Sequence, residues 1–170
     1  MLMTLLQRMM GTVGHTVGKH RLLTLASLYP PFLGAGIRVR RATPGLREID
    51  VELPLTPLNG NYVGTQFGGS LFAMCDPFYM LMLMERLGPD YVVWDKAGTV
   101  RFRRPGRGKV FAHFHIPDER VEEIRRAADS SAKVEPVFTV QVKDAAGVVI
   151  AEVEKTLHVR RKDARLSREA

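Results

Sequence analysis

Two hydrophobic rhythms run along the chain. "GIRVRRA" (36–42) and "REIDVELPL" (47–55) place apolar residues at alternate positions, the period of a half-buried strand. Pro44-Gly45 separates them and marks a turn. The same period returns in "YVVWDKAGTVRFRRPG" and "KVFAHFHI", two predicted strands around a Pro105-Gly106 turn. It returns again in "VEPVFTVQVKD" and "VVIAEVEKTLHVRR", which flank the hairpin turn "AAG". Between these sets, from Gly68 to about Arg86, almost every residue is apolar and Leu and Met dominate. That run is too long for a typical strand. It predicts a helix buried on most sides and stopped at Gly88-Pro89. "PDERVEEIRRAADS" predicts a charged helix, with Asp118 near its cap and acids early. At the front, Leu and Met at helical spacing in 2–10 and 20–28 predict one or two short helices ending before Pro30-Pro31. "TPLNGN" reads as a loop.

The order is two strands, one long buried helix, then four strands with a small helix inserted. The simplest way to bury such a helix is to wrap a curved antiparallel sheet around it, an α+β fold. The predicted organisation is an N-terminal helical extension over 1–34, a globular domain over 35–161 and a polar tail over 162–170. With 170 residues, 45% of them hydrophobic and 25% charged, the chain suits one domain with a sizeable core.

Charge is unevenly placed. Arg8, Lys19, Arg21, Arg38, Arg40, Arg41 and Arg47 fall before the first acid, while the 18 basic residues beyond them balance all 18 acids. A basic excess favours anionic partners: nucleic acid, lipid headgroups or a phosphorylated ligand. A solvated basic face with no partner explains it equally well. One cysteine rules out an internal disulfide framework and points to a reducing cytoplasm. No apolar run approaches the roughly 18 residues of a transmembrane segment. "MLMTLLQRMM" is too short, no clear cleavage site follows it, and its lack of acids leaves a transit peptide open.

The chemistry centres on "NYVGTQFGGSLFAMCDP" (61–77), where one carboxylate, Asp76, interrupts the apolar run and a proline follows. Pro77 inside a helix removes one N–H bond, leaves the Ala73 carbonyl without its usual partner, and disfavours helical backbone at Asp76. A kink there would aim the carboxylate off the regular helix surface. Asp-Pro is equally a common N-cap and first position, so Asp76 could simply start a second helix.

The pattern N-x-x-G-T-x-F-G-G-S-L-F-x-x-x-D, with the element order, resembles the hotdog-fold acyl-CoA thioesterases. The likeness is greatest to the phenylacetate-pathway type and to bacterial thioesterase-like hotdog proteins carrying "FGGSL" and "DPFYMLM". It spans about residues 35 to 160. Asn61, Gly64, Thr65, Gly68 and Gly69 fall in register, and Asp76 stands seven positions after Gly69, where those enzymes place their acid. The resemblance implies hydrolysis of an acyl-CoA or acyl-carrier thioester without a metal or other cofactor, coenzyme A entering only as part of the substrate. It implies a dimer or a dimer of dimers, with the acid of one subunit facing the glycines of its neighbour. One position departs: Phe67 stands where the histidine is usual, and a phenyl ring donates no hydrogen bond.

Within that frame, Asp76 is the expected base or nucleophile, its pKa expected to rise in an apolar wall. The Gly68 or Gly69 N–H is the expected oxyanion donor, because the first amides of a helix have no intrahelical acceptor. Asn61 is the expected polar positioner, and Thr65 and Phe67 are expected beside the substrate. Arg101, Arg103, Arg104 and Arg107 suit the phosphates of coenzyme A, although a solvated turn explains the cluster as well.

Other residues carry less. Ser70 lacks the G-x-S-x-G elbow because Phe occupies position 72, so it reads as a helix-start residue. Cys75 reads as a buried structural thiol. His113 and His115 share a strand face that could hold a metal, but no third ligand is apparent in the sequence. Met74, Met80, Met82 and Met84 read as core, or as the wall of an acyl groove. Three rival functions remain. The first is a hotdog module that binds an acyl chain without hydrolysing it. The second is a hydratase, disfavoured because no His lies between His20 and His113. The third is a membrane-surface or nucleic-acid binder using the basic N-terminal segment; the separate Arg101–Lys109 patch has no interleaved aromatic beyond Phe102 and so gives little support to single-stranded nucleic-acid binding.

Overall fold

The computed structural model describes residues 23–163. The expected helix over 2–10 and nearly all of the polar tail lie outside them. In chain order come a short 3-10 turn (Leu25–Leu28), α1 (Pro30–Ala35), β1 (Arg38–Ala42), β2 (Glu48–Leu53), α2 (Gly68–Ala73), α3 (Phe78–Leu87), β3 (Tyr91–Phe102), β4 (Val110–His115), α4 (Asp118–Ser130), β5 (Val137–Asp144) and β6 (Val149–Arg161). The strands form one antiparallel sheet in the order β1-β2-β4-β5-β6-β3, and α2 and α3 together are the central helix it wraps.

Period-two burial fixes which face meets the helix. Ile49, Val51 and Leu53 of β2, Val110, Ala112 and Phe114 of β4, and Val153, Leu157 and Val159 of β6 are all buried. Phe78 fills the centre, with its ring 4.9 Å from Phe114 and 6.0 Å from Phe32 of α1. Tyr79 stacks on Phe138 at 4.8 Å and donates its hydroxyl to the Thr139 carbonyl at 3.0 Å, so its polar end is satisfied inside the core. Gly88, at φ 92°, ends α3 in a conformation that side chains resist. Arg125 of α4 then donates to the Leu87 and Arg86 carbonyls at 2.9 and 2.8 Å, supplying partners that the helix end lacks.

Two local readings differ from the pattern. Helical residues 23–28 do end before Pro30-Pro31, but the pair also begins α1, because the first helical positions need no N–H donor. The turn at Pro105-Gly106 does not join neighbours: β3 pairs with β6 at one edge, and β4 lies between β2 and β5. The 103–109 segment therefore crosses the end of the sheet, pinned by Arg103 and Arg104 N–H groups on the Ile150 carbonyl at 2.8 and 3.1 Å.

Candidate active site

The central helix breaks where Asp76-Pro77 stands. Met74 still bonds back four residues, to Ser70, but Cys75 and Asp76 bond back three, to Phe72 and Ala73. The Ala73 carbonyl, which Pro77 cannot serve, accepts from the Asp76 N–H at 3.3 Å. The chain tightens for one turn and resumes as α3, with Pro77 at its N-cap and no side chain capping it. Asp76 is thus in the bend and does not cap α3.

Its carboxylate turns toward the sheet. Asp76 Oδ1 accepts from Lys155 Nζ at 2.5 Å, while 48% of the Asp76 side chain remains exposed. Lys155 is an inward-facing residue of β6 whose side chain is 2% exposed. A second carboxylate, Asp95 of β3, stands 3.1 Å from the same ammonium, yet its buried Oδ1 is not aligned for a hydrogen bond. Burial pushes the Asp95 carboxyl above its ordinary range; the Asp76 charge adds to this and Lys155 opposes it. The surroundings of Asp76 are therefore not the apolar wall expected from the sequence: an ammonium sits on one side and solvent on the other.

Gly98 makes this packing possible. It lies opposite Lys155 across β3 and β6, and a Cβ there would meet the Phe72 ring at 2.7 Å and the Lys155 stem at 3.5 Å. The Lys155 ammonium in turn lies 5.2 Å from the Phe72 ring centre.

The remaining expected residues gather elsewhere. Asn61, Thr65 and Gly68 line a shallow depression of about 350 Å³ with Gln66, Phe102, Arg103 and Arg104. Asp76 is not among its lining residues. Asn61 is fully engaged in its own loop: Nδ2 donates to Thr65 Oγ1 at 2.8 Å and the Gln66 carbonyl at 3.3 Å, and Oδ1 accepts from the Val63 and Thr65 N–H groups. Thr65 is buried beneath it. The Phe67 ring is exposed and lies where a Cβ on Gly69 would sit, 2.5 Å from that position. Among the described residues no acceptor engages the Gly68 or Gly69 N–H, while Ser70 and Leu71 N–H groups both return to the Phe67 carbonyl. Arg103 is paired with Glu152 at 2.9 Å; Arg101, Arg104 and Arg107 are exposed. On the outer face, His113 Nδ1 lies 2.6 Å from Asp50.

Lys155 and Asp95 were not foreseen. The signal for Lys155 is a lysine at an inward position of an otherwise apolar series, Val153-x-Lys155-x-Leu157-x-Val159. Asp95 is masked by the irregular pairing between Asp95 and Ala97, which breaks the alternation of β3.

A sheet wrapped around a central helix, with a glycine-led helix start and an acid at its break, defines a hotdog fold. The chain belongs to the family described as "Domain of unknown function (DUF4442)", whose model matches residues 18–159. The comparison with curated proteins gave no match. Among solved structures it is similar to a probable thioesterase of Pseudomonas aeruginosa, with TM-score 0.71 and 23% identity over 80% of this chain and 90% of that one. A protein of unknown function from Chlorobaculum tepidum gives TM-score 0.68 and 15% identity over 84% and 94%. A thioesterase of Haemophilus influenzae gives TM-score 0.61 and 16% identity over 83% and 90%. Among the described residues no helix is long and apolar enough to cross a membrane.

Proposed function

We propose that the protein hydrolyses an acyl thioester, with an acyl-CoA as the substrate class, in the cytoplasm. The observation that carries this is Asp76: a carboxylate at the break of the central helix, held on one oxygen, half open to solvent, and capping nothing. Similar folds named as thioesterases support the reading.

Asp76 takes a proton from water as the water oxygen bonds to the thioester carbonyl carbon. The resulting oxyanion accepts from the Gly68 and Gly69 N–H groups. The carbon–sulfur bond then breaks, the leaving thiolate takes back the proton that Asp76 holds, which restores the carboxylate, and acid and thiol leave. Because α2 is only six residues long, the donors' effect comes from two nearby amides more than from a helix dipole. Asn61 contributes by holding the 61–66 loop, and Thr65 packs under it. Arg101, Arg104 and Arg107, with Arg103 shared with Glu152, face the coenzyme phosphates.

Asp76 and the glycine end do not share the depression of one chain, so the site is completed by a second copy. The free edge of β3, flanked by exposed Trp94 and Phe102, is the surface for that copy, and two such dimers can pair further.

The test is hydrolysis across acyl-CoA chain lengths by wild type and Asp76→Asn. The expected result is a loss of about 10²–10⁴-fold in the variant with binding retained. A second reading, acyl binding without turnover, draws on the Phe67 ring lying over Gly69, close to one of the two oxyanion donors. Equal binding by both proteins with hydrolysis by neither selects it.

A further inference from the structure

We infer that Lys155 is the positioning residue of Asp76, and that Asp95 supplies the counter-charge that lets Lys155 hold that position while Asp76 gains and loses a proton. This rests on the proposed role of Asp76 as base and extends it to two residues on different strands.

The geometry is unequal. Lys155 Nζ makes an aligned hydrogen bond to Asp76 Oδ1 and only an unaligned ion pair to Asp95 Oδ1. One Asp76 oxygen is fixed; the other has no partner among the described residues and stays free for water. The ammonium itself is enclosed. Asp76 reaches it from the turn between α2 and α3, Asp95 from β3, and the Cys75 thiol lies near enough to feel its charge. Burial pushes that thiol up, so it stays neutral and cannot balance a cation. Phe72 covers another side.

Charge counting gives each carboxylate its task. Before reaction, two carboxylates and one ammonium leave one net negative charge, a suitable state for attracting a proton. After Asp76 takes the proton from water, Asp95 and Lys155 remain as a neutral pair. Without Asp95, each turnover would leave a buried ammonium uncompensated, a costly state. Without Lys155, Asp76 would lose its anchor and face the Asp95 charge directly.

The two partners pull Asp76 in opposite directions, which gives a test that a merely structural role cannot imitate. In Lys155→Met, the acid limb of the kcat/KM profile moves to higher pH. In Asp95→Asn, which removes a negative neighbour, the limb moves to lower pH and kcat falls. The same two shifts are read without turnover from the ¹³C resonance of the Asp76 carboxyl carbon. If Lys155→Met does not fold, the Asp95→Asn arm decides alone. Activity lost in Asp76→Asn while neither neighbour moves the limb or the resonance overturns the inference and leaves the hydrolysis standing. No turnover by wild type, with both resonance shifts present, removes the hydrolysis and leaves Lys155 as the electrostatic partner of Asp76.

Discussion

The two faces of the sheet treat charge in opposite ways. On the outer face of β1, β2 and β4, cations crowd a few acids. Arg41 bonds Asp50 at 2.6 Å and Glu48 at 2.8 Å, His113 adds to Asp50 at 2.6 Å, and Glu52 is ringed by Lys109, Arg40 and Arg38 at 3.3 to 3.9 Å. On the inner face one cation, Lys155, serves two acids, Asp76 and Asp95. Solvent screens the outer cations and weakens their pairs, although the Glu52 side chain that three of them surround is buried. In the inner group the cation is enclosed: the Lys155 side chain is 2% exposed, and solvent reaches the cluster from the Asp76 side. The contrast separates a lattice that tolerates loss from a cluster whose protonation is coupled, and only the second adjoins a broken helix.

The comparison is broken most forcefully at Lys155. Lys155→Met keeps the volume and leaves two carboxylates facing each other. Removing one partner of a buried pair costs about 3–5 kcal/mol, and the half-exposed Asp76 places this case at the lower end. Urea unfolding at neutral pH measures it. The deficit shrinks as pH falls through the carboxylate range, since protonating either acid relieves the repulsion. A loss no larger than that of an outer-face variant would erase the distinction between the faces.

The next largest effect is a change of pH dependence. Asp95 is raised in the fold, by burial first and by Asp76 second, against Lys155. A raised carboxyl favours the native state below its unfolded value, about 3.9, and loses that contribution as pH rises through the folded value. Asp95→Asn therefore matches or exceeds wild-type stability at neutral pH and loses its advantage in acid. A paired denaturant series at acid and neutral pH reads the crossover; a variant destabilised at neutral pH alone contradicts it.

The faces themselves were legible in the sequence, and their charge was not. Strict alternation in β2, β4 and β6 announced which residues meet the helix, and Gly88 announced the helix end. Asp76-Pro77 announced the break, because a missing N–H is a local fact. That the Ala73 carbonyl would be recovered by Asp76 itself is a matter of tightening by one residue, which spacing does not show. Lys155 escaped because its role depends on Asp76, 79 positions earlier, and on Gly98 across the strand pair. The crossing of 103–109 escaped for a related reason: a Pro-Gly turn is local, whereas the choice of strand neighbour is set by the whole sheet.

His158 is an intermediate case on the outer side of β6. Its ring stacks on Trp94 at 4.0 Å and 7°, and its buried Nε2 has no hydrogen-bond partner. Burial lowers its pKa first, and Lys133, Arg160 and Lys96 add to this while Glu135 opposes it. A depressed imidazole favours the native state above its unfolded value, about 6.5, and that contribution is lost as pH falls through the folded value. Trp94 is the one tryptophan, so its fluorescence reports the ring beneath it. Quenching on acidification below that range is expected, and His158→Gln removes it. Identical titrations of the two proteins would mean that the stacked imidazole is not the group being protonated.

The smallest effect belongs to the lattice. Burial raises the Asp50 carboxyl, but the His113 and Arg41 bonds outweigh it and hold it below the ordinary range. A depressed carboxyl stabilises the fold above its unfolded value and stops doing so as pH falls through the folded one. Asp50→Asn should therefore cost no more than about 1 kcal/mol at neutral pH, since water screens the site, and the difference from wild type should vanish in strong acid. Added salt should narrow it further, because the pairs lie within reach of counter-ions. The same salt should leave the Lys155→Met deficit nearly unchanged, since counter-ions cannot enter around an enclosed ammonium. If instead salt moved both by similar fractions, the inner cluster would be as solvated as the outer one. Enclosure would then not be what distinguishes the two faces.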